Sequence, residues 1–289
     1  MSDSRFLVTG ASGQLGRLVL DGLLKNVPAA QIGVLVRNDQ AAAELAGRGL
    51  HVHKGDYSRP ETLSAAFAGV DRALLISSSE VGQRTAQHRN VIEAARQAGV
   101  SLLAYTSLLH ADSSPLGLAE EHRQTEAALD ASGVPHVLLR NGWYNENYTA
   151  SIPTALAHGA LLGSAGDGRI ASAARADYAE ASVKVLTSDA PQAGRVYELA
   201  GDAAYTLAEF AAELSLQSGK TVVYRNLPEA DYKAALIGAG LPEPFAALLA
   251  DSDAGAAKGA LFNAGGDLGR LIGRPTTPVA ASIAASLAA

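Results

Sequence analysis

Three glycines at three-residue spacing stand in the run Thr9-Gly10-Ala11-Ser12-Gly13-Gln14-Leu15-Gly16. The apolar run Phe6–Thr9 leads into it, and a helical pattern from about Gln14 to Lys25 leads out. A glycine triplet between strand and helix is chemistry for an anion. Gly10 permits the tight turn, Gly13 lets the backbone approach a pyrophosphate, and Gly16 allows close helix–strand packing. The helix N-terminus adds free N–H groups and a positive dipole end. The spacing is G-x-x-G-x-x-G, not G-x-G-x-x-G, so the triplet depends on its strand–helix setting to mean more than a glycine-rich turn. In that setting Gly10, Ala11, Ser12, Gly13, Gln14 and Leu15 are candidate contacts to a dinucleotide.

Three later positions extend the reading. Arg37 follows the second apolar run, Ile32–Val36. An acidic residue there would hold the ribose 2′-hydroxyl of NAD, whereas an arginine pairs with the 2′-phosphate of NADP. The expected cofactor is therefore NADP(H). Asp39 nearby reads as a helix N-cap. Asp56, in Gly55-Asp56-Tyr57, either accepts from the adenine amino group, with Tyr57 beside the ring, or forms a turn. Ser77, Ser78 and Ser79 close the fourth apolar run, where small hydroxyl residues leave room for a ribose and donate to it.

The elements that must position these residues alternate along the chain. Phe6–Thr9, Ile32–Val36, His51–His53, Ala73–Ile76, Leu102–Tyr105 and Val137–Leu139 are apolar runs separated by helical stretches. Continuous rather than alternating apolar runs fit strands buried on both faces of a parallel sheet. Their alternation with helices implies right-handed crossovers and a doubly wound α/β sheet of Rossmann type. Residues 1–150 read as the cofactor-binding domain, joined by about 176–190, because Tyr178–Leu186 looks helical and able to return to the sheet. Residues 151–289 read as a smaller C-terminal α/β domain on the substrate side. Within it Asn147–Ala174 is loop-like, the elements after Val196 are helical and irregular, and the Ala/Gly-rich stretch Asp251–Gly269 reads as loop.

Composition excludes several classes. The chain has 289 residues, a net charge of −6 and no cysteine. Disulfides, thiolate nucleophiles and cysteine-ligated metals are ruled out. A mildly acidic chain without a basic run does not draw nucleic acid. No stretch approaches a membrane span, and Met1–Arg5 lacks the basic start of a signal peptide, so the expected compartment is the cytoplasm. His51 and His53 share a strand face but lack further ligands at metal spacing, so no metal is expected. No G-x-S-x-G elbow or Walker sequence occurs.

Longer segments carry a resemblance. Ile76-Ser77-Ser78-Ser79-Glu80-Val81-Gly82-Gln83-Arg84, Gln87-His88-Arg89-Asn90-Val91, Tyr105-Thr106-Ser107-Leu108-Leu109-His110-Ala111-Asp112, Leu139-Arg140-Asn141-Gly142-Trp143-Tyr144 and Leu271-Ile272-Gly273-Arg274-Pro275-Thr276-Thr277 resemble the atypical short-chain dehydrogenase/reductases related to the nitrogen regulator NmrA. More narrowly they resemble bacterial NAD(P)H:quinone oxidoreductases of type 2. The resemblance runs nearly the whole chain. It implies NADPH-dependent quinone reduction without flavin, in a monomer or homodimer. It also implies that the loop Asn141, Gly142, Trp143, Tyr144, Asn145 and Glu146 wraps the nicotinamide end. Arg175 becomes a further cofactor contact, or else an ion-pair partner of Asp177.

One departure shapes the mechanism. Ordinary members of that superfamily carry Tyr-x-x-x-Lys on the helix after strand five, and here the helix reads His122-Arg123-Gln124-Thr125-Glu126. His122 and Glu126 share a helix face, but neither is a lysine-depressed phenol. Quinones need such an acid less, because hydride addition leaves a weakly basic hydroquinone anion, and alignment can suffice. Candidate residues near the acceptor are Asn141, Trp143, Tyr144, Asn147 and Tyr148, of which the aromatics either stack on the ring or pack in the core, with His122 as a proton relay. The missing Tyr/Lys pair also allows a second expectation, a non-catalytic NADP(H)-sensing regulator.

Overall fold

The computed structural model describes residues 5–289. The six apolar runs are strands: β1 (Phe6–Val8), β2 (Ile32–Val36), β3 (His51–Lys54), β4 (Arg72–Leu75), β5 (Leu102–Leu108) and β6 (His136–Asn141). Every residue of β1, β2 and β5 is buried, as strands covered on both faces must be. Three further strands, β7 (Ala160–Gly163), β8 (Val196–Leu199) and β9 (Val223–Asn226), lie where the sequence reads as loop or helix. The main sheet has the order β3-β2-β1-β4-β5-β6-β8, and β7 pairs with β9 separately.

The helices between the first strands are α1 (Gln14–Leu23), α2 (Asp39–Ala46), α3 (Ser64–Phe67), α4 (Arg84–Ala98) and α5 (Ala119–Ser132). Strand β1 lies parallel to β2 on one side and β4 on the other, with Phe6 opposite both Ile32 and Arg72. The winding therefore reverses between β1 and β4. In open α/β sheets the crevice at such a switch point, outside the carboxyl ends of the strands, is where ligands bind. Helix α2 is capped by Asn38, whose side chain accepts from the Ala41 N–H at 2.8 Å. This corrects the expectation for Asp39, which is the first helical residue and pairs with Lys54.

The remaining helices are α6 (Asn145–Thr149), α7 (Ile152–His158), α8 (Arg175–Thr187), α9 (Leu207–Ser218), α10 (Glu229–Gly238), α11 (Glu243–Ala256), α12 (Asp267–Ile272) and α13 (Val279–Ala288). The stretch read as loop thus begins with the end of α11, residues 251–256, and its last residues open α12. Its small residues are there to pack: a Cβ on Gly255 would stand 2.2 Å from Leu116 Cδ2.

The chain divides into two compact units. One comprises Met1–Ala111, Glu120–Arg140 and Tyr178–Tyr197, and the other Asp112–Ala119, Asn141–Asp177 and Glu198–Ala289. In the first, α8 packs against α1 so closely that a Cβ on Gly22 would meet Val183 Cγ2 at 2.8 Å. The Arg72 guanidinium caps the end of α8 by donating to the carbonyls of Leu186 and Ser188, both at 2.7 Å.

In the second unit, Asp253 on α11 is buried. Its carboxylate accepts from the Tyr148 hydroxyl and the Ser164 N–H, each at 2.9 Å. Burial raises its pKa from 3.8 to about 6 against those two donors. An acid with a raised folded-state pKa holds its proton better when folded, so the stability it supports is full at low pH. That stability is lost as pH rises through about 4 to about 6, amounting to about 2–3 kcal/mol. Melting curves of Asp253→Asn across that window are expected to be flatter than those of the parent chain; parallel profiles would show that another group titrates.

Candidate active site

A groove of about 270 Å³ opens at the switch point. Its floor is the turn from Gly10 to Gly16, and its walls come from Leu35–Arg37, Gly55–Tyr57, Ile76–Glu80 and Gln87. Gly10 sits at φ +61, and a Cβ on Gly16 would stand 2.4 Å from the Gly10 carbonyl oxygen, so helix α1 starts in direct contact with the turn. No side chain caps α1, and its first turn holds no acidic residue. The opening amides of the helix, which have no intrahelical acceptor, are thereby left for an anion. Arg17 steadies the turn from outside: its Nε donates to the Ser12 carbonyl at 3.0 Å while its guanidinium pairs with Glu44.

Gly10, Ser12, Gly13, Gln14, Leu15, Arg37, Asp56, Ser77, Ser78 and Ser79 all line this groove. Ala11, fully buried beneath the turn, is not among the lining residues. Asp56 Oδ1 accepts from the Ser58 N–H at 2.8 Å, the turn-forming arrangement. Tyr57 turns its hydroxyl toward Thr9 Oγ1 and the Ile76 carbonyl, at 3.1 Å from the latter, and burial raises its pKa strongly. Its ring is therefore a wall anchored to the strand ends.

The serine loop is braced from behind by side chains that sequence reasoning passed over. Thr106 Oγ1 accepts from the Ser77 N–H at 2.8 Å, His88 Nε2 accepts from the Ser78 N–H at 2.9 Å, and the buried Arg84 donates through Nε to the Ser78 carbonyl at 2.8 Å. His88 Nδ1 lies 3.0 Å from Thr125 Oγ1. Accepting at Nε2 requires a neutral ring protonated at Nδ1, and burial, with the Arg84 charge, pushes the imidazole pKa down to about 3. A periodic match between α4 and the end of β4 would be the only sequence signal for this brace.

His122 does not reach the groove. It is buried, with Nδ1 2.7 Å from the Tyr105 hydroxyl, and burial and the Arg84 charge hold its pKa well below the usual histidine range. Glu126, four residues on, accepts two hydrogen bonds from the Arg140 guanidinium at 3.0 and 2.7 Å and one from Ser107 Oγ at 2.5 Å. The positions of the superfamily's acid and lysine are thus occupied by a neutral ring and a closed ion pair.

The second unit holds the other candidates. The Arg175 guanidinium lies over the Tyr144 ring, 4.7 Å from its centre, within cation–π range. The Glu146 carboxylate caps α8 by accepting from the Arg175 N–H with both oxygens at 3.0 Å. Asp177 pairs with Arg274 at 2.7 Å and accepts from the Thr277 N–H at 2.8 Å, so its expected bond to Arg175 is replaced. The Asn141 carboxamide is buried beside the Tyr144 hydroxyl, with no hydrogen bond of good geometry. Burial raises the Tyr144 hydroxyl pKa, partly offset by the charge of Arg175. Asn147 is half-buried. Asn145 and Tyr148 spend their polar groups inside the unit. Asn145 binds Ser282, Ser172 and the Thr277 carbonyl, and Tyr148 binds Asp253 within a ring cluster of Tyr205 and Phe210. Trp143 is likewise buried.

A doubly wound sheet with a glycine turn, uncapped helix amides and a guanidinium at its switch point defines a dinucleotide-binding Rossmann protein. The chain belongs to the NAD(P)H-binding family, which residues 10–189 match. It is 58% identical over 276 residues to quinone oxidoreductase 2 of Escherichia coli, covering 96% of each chain. It superposes on the crystal structure of an NADPH-dependent quinone oxidoreductase from Escherichia coli complexed with NADPH with a TM-score of 0.95, at 56% identity over 98% of this chain and 99% of that one. It is also similar to the triphenylmethane reductase of Citrobacter sp. complexed with NADP(H), with a TM-score of 0.93, 38% identity and coverage of 97% and 99%. Among the described residues no helix is long and apolar enough to cross a membrane.

Proposed function

We propose that this chain is a cytoplasmic NADPH-dependent quinone reductase, working as a monomer or homodimer without flavin or metal. The observation that carries the reading is the 58% identity, across 96% of both chains, with quinone oxidoreductase 2. NADPH, when bound, supplies the hydride, and the quinone takes it up with a solvent proton to become a hydroquinone. The protein's part is to bind and orient. Amides of the Gly10–Leu15 turn hold the pyrophosphate, Arg37 holds the 2′-phosphate, and the braced serine loop holds a ribose. Residues Asn141–Tyr144 serve the nicotinamide end, where the buried Asn141 carboxamide, with its donor and acceptor pair, suits a nicotinamide amide group. Tyr144 and Asn147 are assigned to the acceptor. A half-buried phenol of raised pKa beside Arg175 stays protonated at neutral pH and donates a hydrogen bond to the quinone oxygen, rather than giving up its proton.

This scheme leaves His122 out, because its ring is buried against the Tyr105 hydroxyl and does not line the groove. The regulatory alternative rests on the missing Tyr/Lys pair alone, which quinone chemistry does not require.

Purified protein mixed with NADPH and a benzoquinone is expected to lose the reduced-nicotinamide absorbance in a quinone-dependent manner. Intact NADPH binding without that loss would reject the reading. Tyr144→Phe is expected to lower kcat about tenfold, the worth of one hydrogen bond to a developing anion, with a smaller change in NADPH affinity. An unchanged kcat would remove Tyr144 from the acceptor site.

A further inference from the structure

We propose that Glu80 sets the cofactor preference by competing with the 2′-phosphate of NADPH for Arg37. The inference rests on the reading of the groove as the NADPH site. Arg37 Nη1 lies 2.5 Å from Glu80 Oε1, and both residues line the groove. The guanidinium that the phosphate needs is already engaged by a carboxylate.

Two features make this more than a chance surface pair. The first is its exchangeability. The side chains are 62% and 41% exposed, and ion pairs so open to water are weak, so an arriving phosphate can take the guanidinium.

The second is that Glu80 stays where it is when displaced. Its other oxygen, Oε2, accepts from Gln87 Nε2 at 2.7 Å, and Gln87 is 3% exposed and also donates to Ser58 Oγ at 2.9 Å. The Glu80 N–H donates to Ser78 Oγ at 3.1 Å. Arg84 and His88 hold Ser78 in turn. The carboxylate is therefore tethered to the groove wall and remains beside the phosphate as a like charge.

NADH meets neither obstacle. It leaves the Arg37–Glu80 pair intact, and its 2′-hydroxyl finds a carboxylate acceptor within the groove. Arg37 thus favours NADPH while Glu80 restrains the preference. Charge, not shape, is the operative property, so the isosteric Glu80→Gln is the decisive change. The amide keeps an acceptor for Gln87 and removes the repulsion.

The experiment is titration of the wild-type chain and of Glu80→Gln with NADPH and with NADH, by calorimetry, at matched salt and with melting temperatures alongside. Glu80→Gln is expected to tighten NADPH about tenfold and to leave NADH equal or weaker, widening the affinity ratio about tenfold. Gln87→Leu, which frees the carboxylate from its tether, is expected to widen the ratio in the same direction by a smaller factor. An unchanged ratio in Glu80→Gln, or NADPH bound more weakly, overturns the inference while the quinone-reductase reading stands. A wild-type chain that binds neither nucleotide overturns both.

Discussion

Replacing Arg37 with glutamate weakens NADPH binding about a hundredfold and changes NADH binding only a few-fold. Arg37 stands at the rim of the groove, across from Glu80 and just beyond the end of β2. A guanidinium contact to a phosphate is charge-assisted, and its loss costs about 1.5–3 kcal/mol in a partly exposed setting. The new carboxylate adds repulsion, both to the phosphate and to Glu80. NADH carries no 2′-phosphate and loses neither contact. Fluorescence titration of the two nucleotides measures the ratio directly. Equal losses for both would mean that Arg37 serves the fold or the pyrophosphate, not the ribose phosphate.

The second large effect is on stability. Glu126→Leu leaves the Arg140 guanidinium, on a side chain only 10% exposed, buried without its carboxylate. Breaking a buried pair in this way costs about 3–5 kcal/mol, which lowers the melting temperature by roughly 10 °C in a chain of this size. The folded fraction keeps its turnover, because Glu126 is closed by Arg140 and Ser107 and does not line the groove. Adding Arg140→Met recovers much of the loss, since two apolar side chains replace two compensated charges. A fall in kcat at unchanged melting temperature would instead give Glu126 a place in the reaction.

Much of the sheet could be read before any coordinates, because strands buried on both faces leave continuous apolar runs. Phe6–Val8, Ile32–Val36 and Leu102–Tyr105 are such runs, and periodicity has little competing signal there. The strands β7, β8 and β9 are four residues each; β7 and β8 mix buried positions with exposed and half-exposed ones, and β9 has no buried position. Nothing in so short a mixed pattern separates strand from loop. The end of helix α11 was hidden for another reason: Gly255 lowers helix propensity and the small residues beside it show no strong apolar stripe, while tertiary packing against Leu116 holds the helix there.

The site divides along the same line. Glycines and serines at strand ends announce themselves by position, as does Arg37. The tether from Gln87 to Glu80, the brace from His88 to Ser78 and the closure of Glu126 by Arg140 join residues that meet only once a helix is set against the end of its neighbouring strand. No local pattern encodes them. Asn145 and Tyr148 sit in a promising loop by sequence, yet their hydrogen bonds run into the interior of their own unit.

The return of the chain through α8 and β8 constrains how this protein can be cut. A fragment ending near residue 150 would lack the helix whose Val183 fills the space left by Gly22 and whose last carbonyls receive Arg72. It would also leave β6, which borders β8 in the intact sheet, as a bare hydrogen-bonding edge, a template for self-association. During synthesis the nucleotide-binding unit therefore cannot close until the ribosome has passed residue 197. A stand-alone version must keep that late segment, for instance by joining Arg140 to Tyr178 through a short linker.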